Sequence, residues 1–234
     1  MRLLVSVADA GEARAAVEGG ADIVDVKNPA EGALGAPAPA TIAAVRDAVP
    51  AELPVSAAIG DLPDLPGTAA LAALGAARAG PAYVKVGLWA SSGLDAAIAL
   101  LRAVRDAVGD EATLVAGTYA DAERVPSGPL PPGLLVRAAA ASGAGVCLLD
   151  TAVKDGRGLA AWLAPGALAD LVGEAHDAGL EIALAGSLRL EDLPELAASG
   201  ADIAGVRSAA CRAGERDGTV DAGRVQRLRG ACLV

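Results

Sequence analysis

Lysine is scarce in this chain of 234 residues: Lys27, Lys85 and Lys154 stand against sixteen arginines. Lys27 lies in IVDVKNP (23–29), two residues after Asp25, so in an extended segment both side chains share one face. Lys154 lies four residues after Asp150 in LLDTAVKDG (148–156). Arginine is the better permanent ion-pair partner, being planar, bidentate and always charged. Lysine can do what arginine cannot, which is to lose its proton and attack a carbonyl. Burial and a second ammonium nearby both favour the neutral amine, whereas Asp25 and Asp150 favour the ammonium. A cluster of this composition can hold one amine neutral and another as an acid, which suits Schiff-base chemistry on a carbonyl substrate. The structural alternative is that each lysine only satisfies a carboxylate in a buried layer.

These residues need elements to position them. Short apolar runs ending in polar or Gly residues occur at LLVSV (3–7), DIVDV (22–26), PVSAAI (54–59), AYVKVG (82–87), TLVAG (113–117), GVCLLD (145–150), EIALAG (181–186) and DIAGVR (202–207). Between them, segments such as PATIAAVRDAV and LDAAIALLRAVRDAV carry apolar residues at helical spacing. Eight strand–helix units predict a closed (β/α)₈ TIM barrel forming one domain over 1–234. A doubly wound open sheet is the alternative, but no GxGxxG follows the first strand.

The repeats GGADIVDVKN (19–28), ASGAGVCLLDT (141–151) and ASGADIAGVRS (198–208), with GPAYVKVGL (80–88), fall on even-numbered strands. Alternate strands of such a barrel feed one interior layer. The spacing therefore predicts that Asp25, Lys27, Lys85, Asp150 and Arg207 converge at the carboxyl-terminal mouth, with Lys154 folding over it. AGSL (185–188) and GVRSAA (205–210) end strands seven and eight, where loops commonly hold phosphate on backbone N–H groups. Gly186, Ser187, Arg207 and Ser208 are the candidates for that role, and a phosphorylated aldehyde or ketone is the substrate class expected.

Other polar residues read less sharply. His176, the single histidine, sits in a helical stretch and reads as a plain helix residue, against His-dependent hydrolysis or a multi-histidine metal site. Asp61, Asp64, Tyr119 and Asp121 line the mouth or are solvated loop residues. Cys147 reads as packing, and Trp89 caps the pocket or packs. A net charge of −10 excludes a nucleic-acid surface and disfavours anionic membranes. The mean hydropathy of +0.44 invites a membrane reading. However, charge-free runs such as 32–45 and 65–77 are too short to span and contain Pro or Gly. Three cysteines without CxxC spacing fit a reduced, cytoplasmic protein with no metal site. A homo-oligomer is left open.

The motifs D-x-K-N-P at 25–29, Y-V-K-V-G at 83–87 and L-L-D-T-x-x-K-D-G at 148–156 resemble those of the (5-formylfuran-3-yl)methyl phosphate synthase family, in its order and spacing across essentially the whole chain. The resemblance implies a TIM barrel that joins two molecules of glyceraldehyde 3-phosphate into a phosphorylated furan, losing phosphate and water, with no metal or organic cofactor. It implies that Lys27 is the Schiff-base lysine, Lys85 a proton acceptor, and Asp25, Asp150 and Lys154 the rest of the site. Two rivals remain: another Schiff-base sugar-phosphate aldolase, and a non-catalytic barrel that binds a phosphate ligand.

Overall fold

In a computed structural model, which describes residues 1–164 and 166–233, eight parallel strands close into a barrel in chain order. The strands are β1 Arg2–Val7, β2 Ile23–Val26, β3 Val55–Pro63, β4 Tyr83–Ala90, β5 Thr113–Tyr119, β6 Val146–Asp150, β7 Glu181–Leu184 and β8 Ile203–Val206. Each is followed by a helix: α1 Ala10–Glu18, α2 Pro39–Ala48, α3 Pro66–Ala77, α4 Leu94–Val108, α5 Leu135–Ser142, α6 Ala167–Asp177, α7 Leu193–Ala198 and α8 Ala222–Ala231. The expected fold is the observed one.

Local chemistry sets the ends of these elements. The Asp9 carboxylate accepts from the N–H groups of Gly11 and Glu12 and so starts α1. Proline opens α2 and α3, where its missing N–H is no loss.

Two apolar layers result, and they differ in bulk. Outside the barrel, Val5, Val24, Val84, Val86, Leu114, Cys147 and Leu149 pack against Ala-rich helix faces such as Ala97, Leu100 and Leu101 of α4. Cys147 is a packing residue in this layer, as its position suggests. Inside the barrel the layer is thin and built of Ile23, Ala58, Val115, Val146, Leu148, Ala183 and Ile203. Glycines at 87, 117 and 205 thin it further.

Strand lengths depart from the sequence reading. β3 and β4 run on together to Pro63 and Ala90, past a register shift between Ala58 and Asp61. Gly60, with φ +117°, makes that bulge. A bulge turns the following side chain to the other face. Asp61 consequently pairs in register with Gly87 and points inward, where regular alternation would place it outside. β7 and β8 stop early, leaving Ala185, Gly186 and Arg207 in loops.

His176 lies on α6 and contacts Asp202, at the strand-entry end of β8, at 3.0 Å, far from the mouth. Among the described residues, no helix is long and apolar enough to cross a membrane. Among the same residues, no group of three or more His, Cys, Asp or Glu is placed to hold a metal ion.

Candidate active site

Asp25 on β2, Lys27 just past its end, Lys85 within β4 and Asp150 at the end of β6 are all buried. Lys85 Nζ donates to Asp25 Oδ1 at 2.7 Å, and Ser6 Oγ on β1 donates to Asp25 Oδ2 at 2.9 Å. Lys154 Nζ donates to Asp150 Oδ1 at 2.8 Å, and the Thr151 N–H donates to the same oxygen at 2.7 Å. Lys27 stands between these two couples without a direct carboxylate contact, donating to the Ala33 carbonyl at 3.2 Å. The five residues the motifs single out are therefore brought to one place.

Their electrostatics differ. Burial strips the hydration of the Lys27 ammonium and pushes its pKa down to about 7. Lys85 and Arg216 push the same way, and Asp150 and Asp25 oppose them. Burial pushes the Asp150 carboxyl up, but Lys154 and Lys27 outweigh it and hold the group at about 2. Asp25 is likewise held below its ordinary range by Lys85 and Lys27, against its burial. The result is one nearly neutral amine flanked by two carboxylates that stay ionised.

A cavity of about 730 Å³ opens beside this cluster, lined by Lys27, Lys85, Asp150 and Lys154 on one side and by Gly186, Ser187 and Ser208 on the other. Gly186 has φ +112° and Ser187 φ +50°, a turn that only small or polar residues adopt readily. Among the described residues, the N–H groups of Gly186, Ser187 and Ser208 find no protein acceptor. Such a set of free N–H groups suits an anion.

Arg207 lines the cavity as the spacing predicts, but its donors are engaged elsewhere. Its guanidinium has five N–H donors, and the protein takes all of them. Nη1 and Nη2 engage the Glu12 carboxylate, Nη1 also the Ser6 carbonyl, Nη2 the Gly218 carbonyl at 3.0 Å, and Nε the Arg216 carbonyl at 3.0 Å. Because β8 ends at Val206, Arg207 has backbone φ −127°, ψ −73°, outside the strand, and ties the 207–218 loop to α1. Arg216 also lines the cavity on that side and gives one donor to the Gly32 carbonyl at 3.0 Å.

Residues the sequence leaves undecided acquire definite places. Asp121 is buried and accepts from the N–H groups of Ala152 and Val153 at 2.6 and 2.9 Å, fixing the loop that carries Lys154. Tyr119 is fully buried and donates to Asp61. Trp89 packs edge-on against Tyr119 at 5.3 Å between ring centroids. Asp64 accepts from Ser92 in an exposed turn, away from the cluster. Ser6, Glu12 and Arg216 are absent from the motif-based set. The first is seen only through the β1–β2 register, which pairs Ser6 with Asp25.

Known proteins resemble this chain over nearly its whole length. The model of the 4-HFC-P synthase family matches residues 3–229. The (5-formylfuran-3-yl)methyl phosphate synthase of Methanocaldococcus jannaschii is 46% identical over 237 residues, covering 99% of this chain and 100% of that one. That of Methanopyrus kandleri is 48% identical, with 92% of each chain covered. Among solved structures, a 3-hexulose-6-phosphate synthase superposes with a TM-score of 0.64 at 20% identity, over 99% of both chains, a likeness of fold.

Proposed function

The chain belongs to the 4-HFC-P synthase family, and from that footing we propose that it is a (5-formylfuran-3-yl)methyl phosphate synthase acting through an imine on Lys27. The substrate in this reading is glyceraldehyde 3-phosphate, two molecules of which give the furan with loss of phosphate and water. The observation that carries the reading is the Lys27 amine, buried and near neutral at about 7 between two lysine–aspartate couples.

The neutral amine adds to the aldehyde carbon, and loss of water gives the imine. The Asp25–Lys85 couple takes the proton next to the imine carbon, leaving an enamine that attacks the second aldehyde. The Asp150–Lys154 couple sits on the opposite side and supplies the proton for the departing oxygens. Positioned acid–base groups of this kind typically contribute about 10²–10⁴-fold. The free N–H groups of Gly186, Ser187 and Ser208 hold one substrate phosphate, with Arg216 supplying the positive charge that Arg207 cannot. A hydroxyl of the second triose then closes on the imine carbon and expels the Lys27 amine, and elimination of phosphate and water yields the aromatic product.

The test is borohydride reduction of the protein with glyceraldehyde 3-phosphate, followed by intact mass and a peptide map. The expected result is a triose-sized adduct on Lys27 and none in Lys27→Arg, which keeps charge but cannot form an imine. Unreduced turnover should develop a furan absorbance; an open-chain aldol product would instead indicate an aldolase. No adduct with either triose phosphate would overturn the imine reading and favour a phosphate-binding barrel.

A further inference from the structure

One pair at the mouth, a half-buried carboxylate and a buried tyrosine, has no place in that chemistry. Asp61 and Tyr119 are not among the residues that line the cavity. Tyr119 Oη donates to Asp61 Oδ1, and Asp61 Oδ2 accepts from the Leu34 N–H at 3.2 Å. Leu34 belongs to the loop 28–35 between β2 and α2, which Asn28 N–H closes on the Gly35 carbonyl at 2.9 Å. The residue before it, Ala33, presents the carbonyl that receives Lys27 Nζ.

The barrel makes room for this arrangement by omitting side chains. A methyl group on Gly87 would overlap both the Tyr119 hydroxyl and the Asp61 carboxylate, and one on Gly32 would overlap Asp61. The Leu34 side chain drops into the lumen against Gly117 and Gly87, where added Cβ atoms would stand 3.0 and 3.2 Å from it. The glycine of the Y-V-K-V-G motif is thus explained by what sits over it.

We infer that Asp61 and Tyr119 are positioning residues that latch the 28–35 loop and, through it, set where the Lys27 amine sits and how little water reaches it. The route is a chain of contacts: Tyr119 to Asp61, Asp61 to Leu34 N–H, Ala33 carbonyl to Lys27. The charged groups facing Lys27 are Asp25 on its own strand, Lys85 on β4, Asp150 on β6 and Arg216 in the β8 loop. Those facing Asp61 are Tyr119 and Asp150. None of the charges facing Lys27 changes when the latch is cut, so a change at Lys27 reports solvent access and position. Burial also pushes the Asp61 carboxyl upward, with Tyr119 and the Leu34 N–H opposing.

The test reads the amine directly. Acetic anhydride labelling of Lys27 in the full chain, followed by peptide mass mapping from pH 5 to 11, gives the midpoint at which the amine becomes reactive. The wild-type midpoint is expected near 7. Asp61→Ala admits water and should raise it by one unit or more, about a fivefold or larger loss of neutral amine at pH 7. Tyr119→Phe should raise it less. Asp61→Asn, which keeps an acceptor for Leu34 N–H, should restore most of the wild-type value, as a merely structural role would not. An unchanged midpoint in folded Asp61→Ala overturns the inference. If that variant does not fold, Tyr119→Phe decides on the same criterion. Only the kinetic consequence, an acid limb of turnover that moves with the midpoint, rests on the proposed imine. A shifted midpoint without a borohydride adduct would keep the latch and sink the imine reading.

Discussion

The two halves of the barrel mouth solve the same geometry in opposite ways. Around β4 and β5 the interior positions 87 and 117 are glycine, and the space is refilled from the chain by Leu34, Asp61 and Tyr119. Around β7 and β8, interior Gly205 with Ala183 and Ala185 leaves the space open as part of the cavity. A small residue on an inward-facing strand position therefore does not by itself announce a ligand site. What distinguishes the halves is whether a neighbouring loop descends into the gap. The 28–35 loop does so on one side. The 207–218 loop on the other is held to α1 by the buried Arg207–Glu12 pair.

A matched pair of substitutions tests this contrast most strongly. Gly117→Ala places a methyl 3.0 Å from Leu34 and 3.1 Å from the Val86 carbonyl. Overpacking of that kind costs about 1–3 kcal/mol, so urea unfolding should show a lower midpoint. The nearest neighbour of a methyl at Gly205→Ala is Ala185, 3.2 Å away at the edge of the cavity, so the stability loss should be smaller. KM for the proposed triose phosphate substrate should rise instead, with kcat less affected. Equal stability losses with unchanged KM would erase the distinction between a plugged and an open half.

The charges between the halves give a smaller effect with a definite sign. Lys27 has its folded pKa lowered to about 7, below the unfolded value near 10.4. Between those values the unfolded chain binds more protons, so stability rises with pH across that window. The slope is at most about 1.4 kcal/mol per pH unit, and Lys27→Met should flatten it. Asp150 acts at the other end of the scale, with its folded value at about 2 and its unfolded value near 3.9. Its contribution is complete above the unfolded value and is lost as pH falls towards 2. Chemical denaturation at a series of pH values measures both limbs, and a profile with no rise from pH 7 to 10 would contradict the buried neutral amine.

How much of this was legible in the sequence depends on how local the signal is. Eight strands and the inward face carrying Asp25, Lys27, Lys85 and Asp150 follow from apolar runs and two-residue alternation, which need no knowledge of partners. Asp61 fails that test because the bulge at Gly60 reverses the parity. The glycine inside PVSAAIGDLP is the one local sign of it. Arg207 continues the alternation of β8 on paper, but the strand ends one residue earlier and its partner Glu12 is 195 residues away. Asp121 and Ser6 are likewise defined by contacts across strands, 31 and 19 residues distant. Residues whose role lies in holding a loop become visible only once the loop has closed.

The smallest predicted effect separates that local holding from stability at large. Gly75 lies inside α3, on the outer face, where an added Cβ would meet nothing within 4 Å. Its backbone is helical, so Gly75→Ala removes conformational freedom from the unfolded chain without strain. The expected gain is about 0.5–1 kcal/mol, read as a higher urea midpoint. Ala69, Ala73 and Ala76 of α3 belong to the layer outside the barrel, whereas Leu34 of the 28–35 loop packs in the separate layer inside it. The labelling midpoint of Lys27 should therefore stay where it is while the whole chain becomes more stable. If it moved in step with global stability, the amine would be reporting general tightness of the barrel, and the specific hold of Asp61 on its loop would lose its meaning.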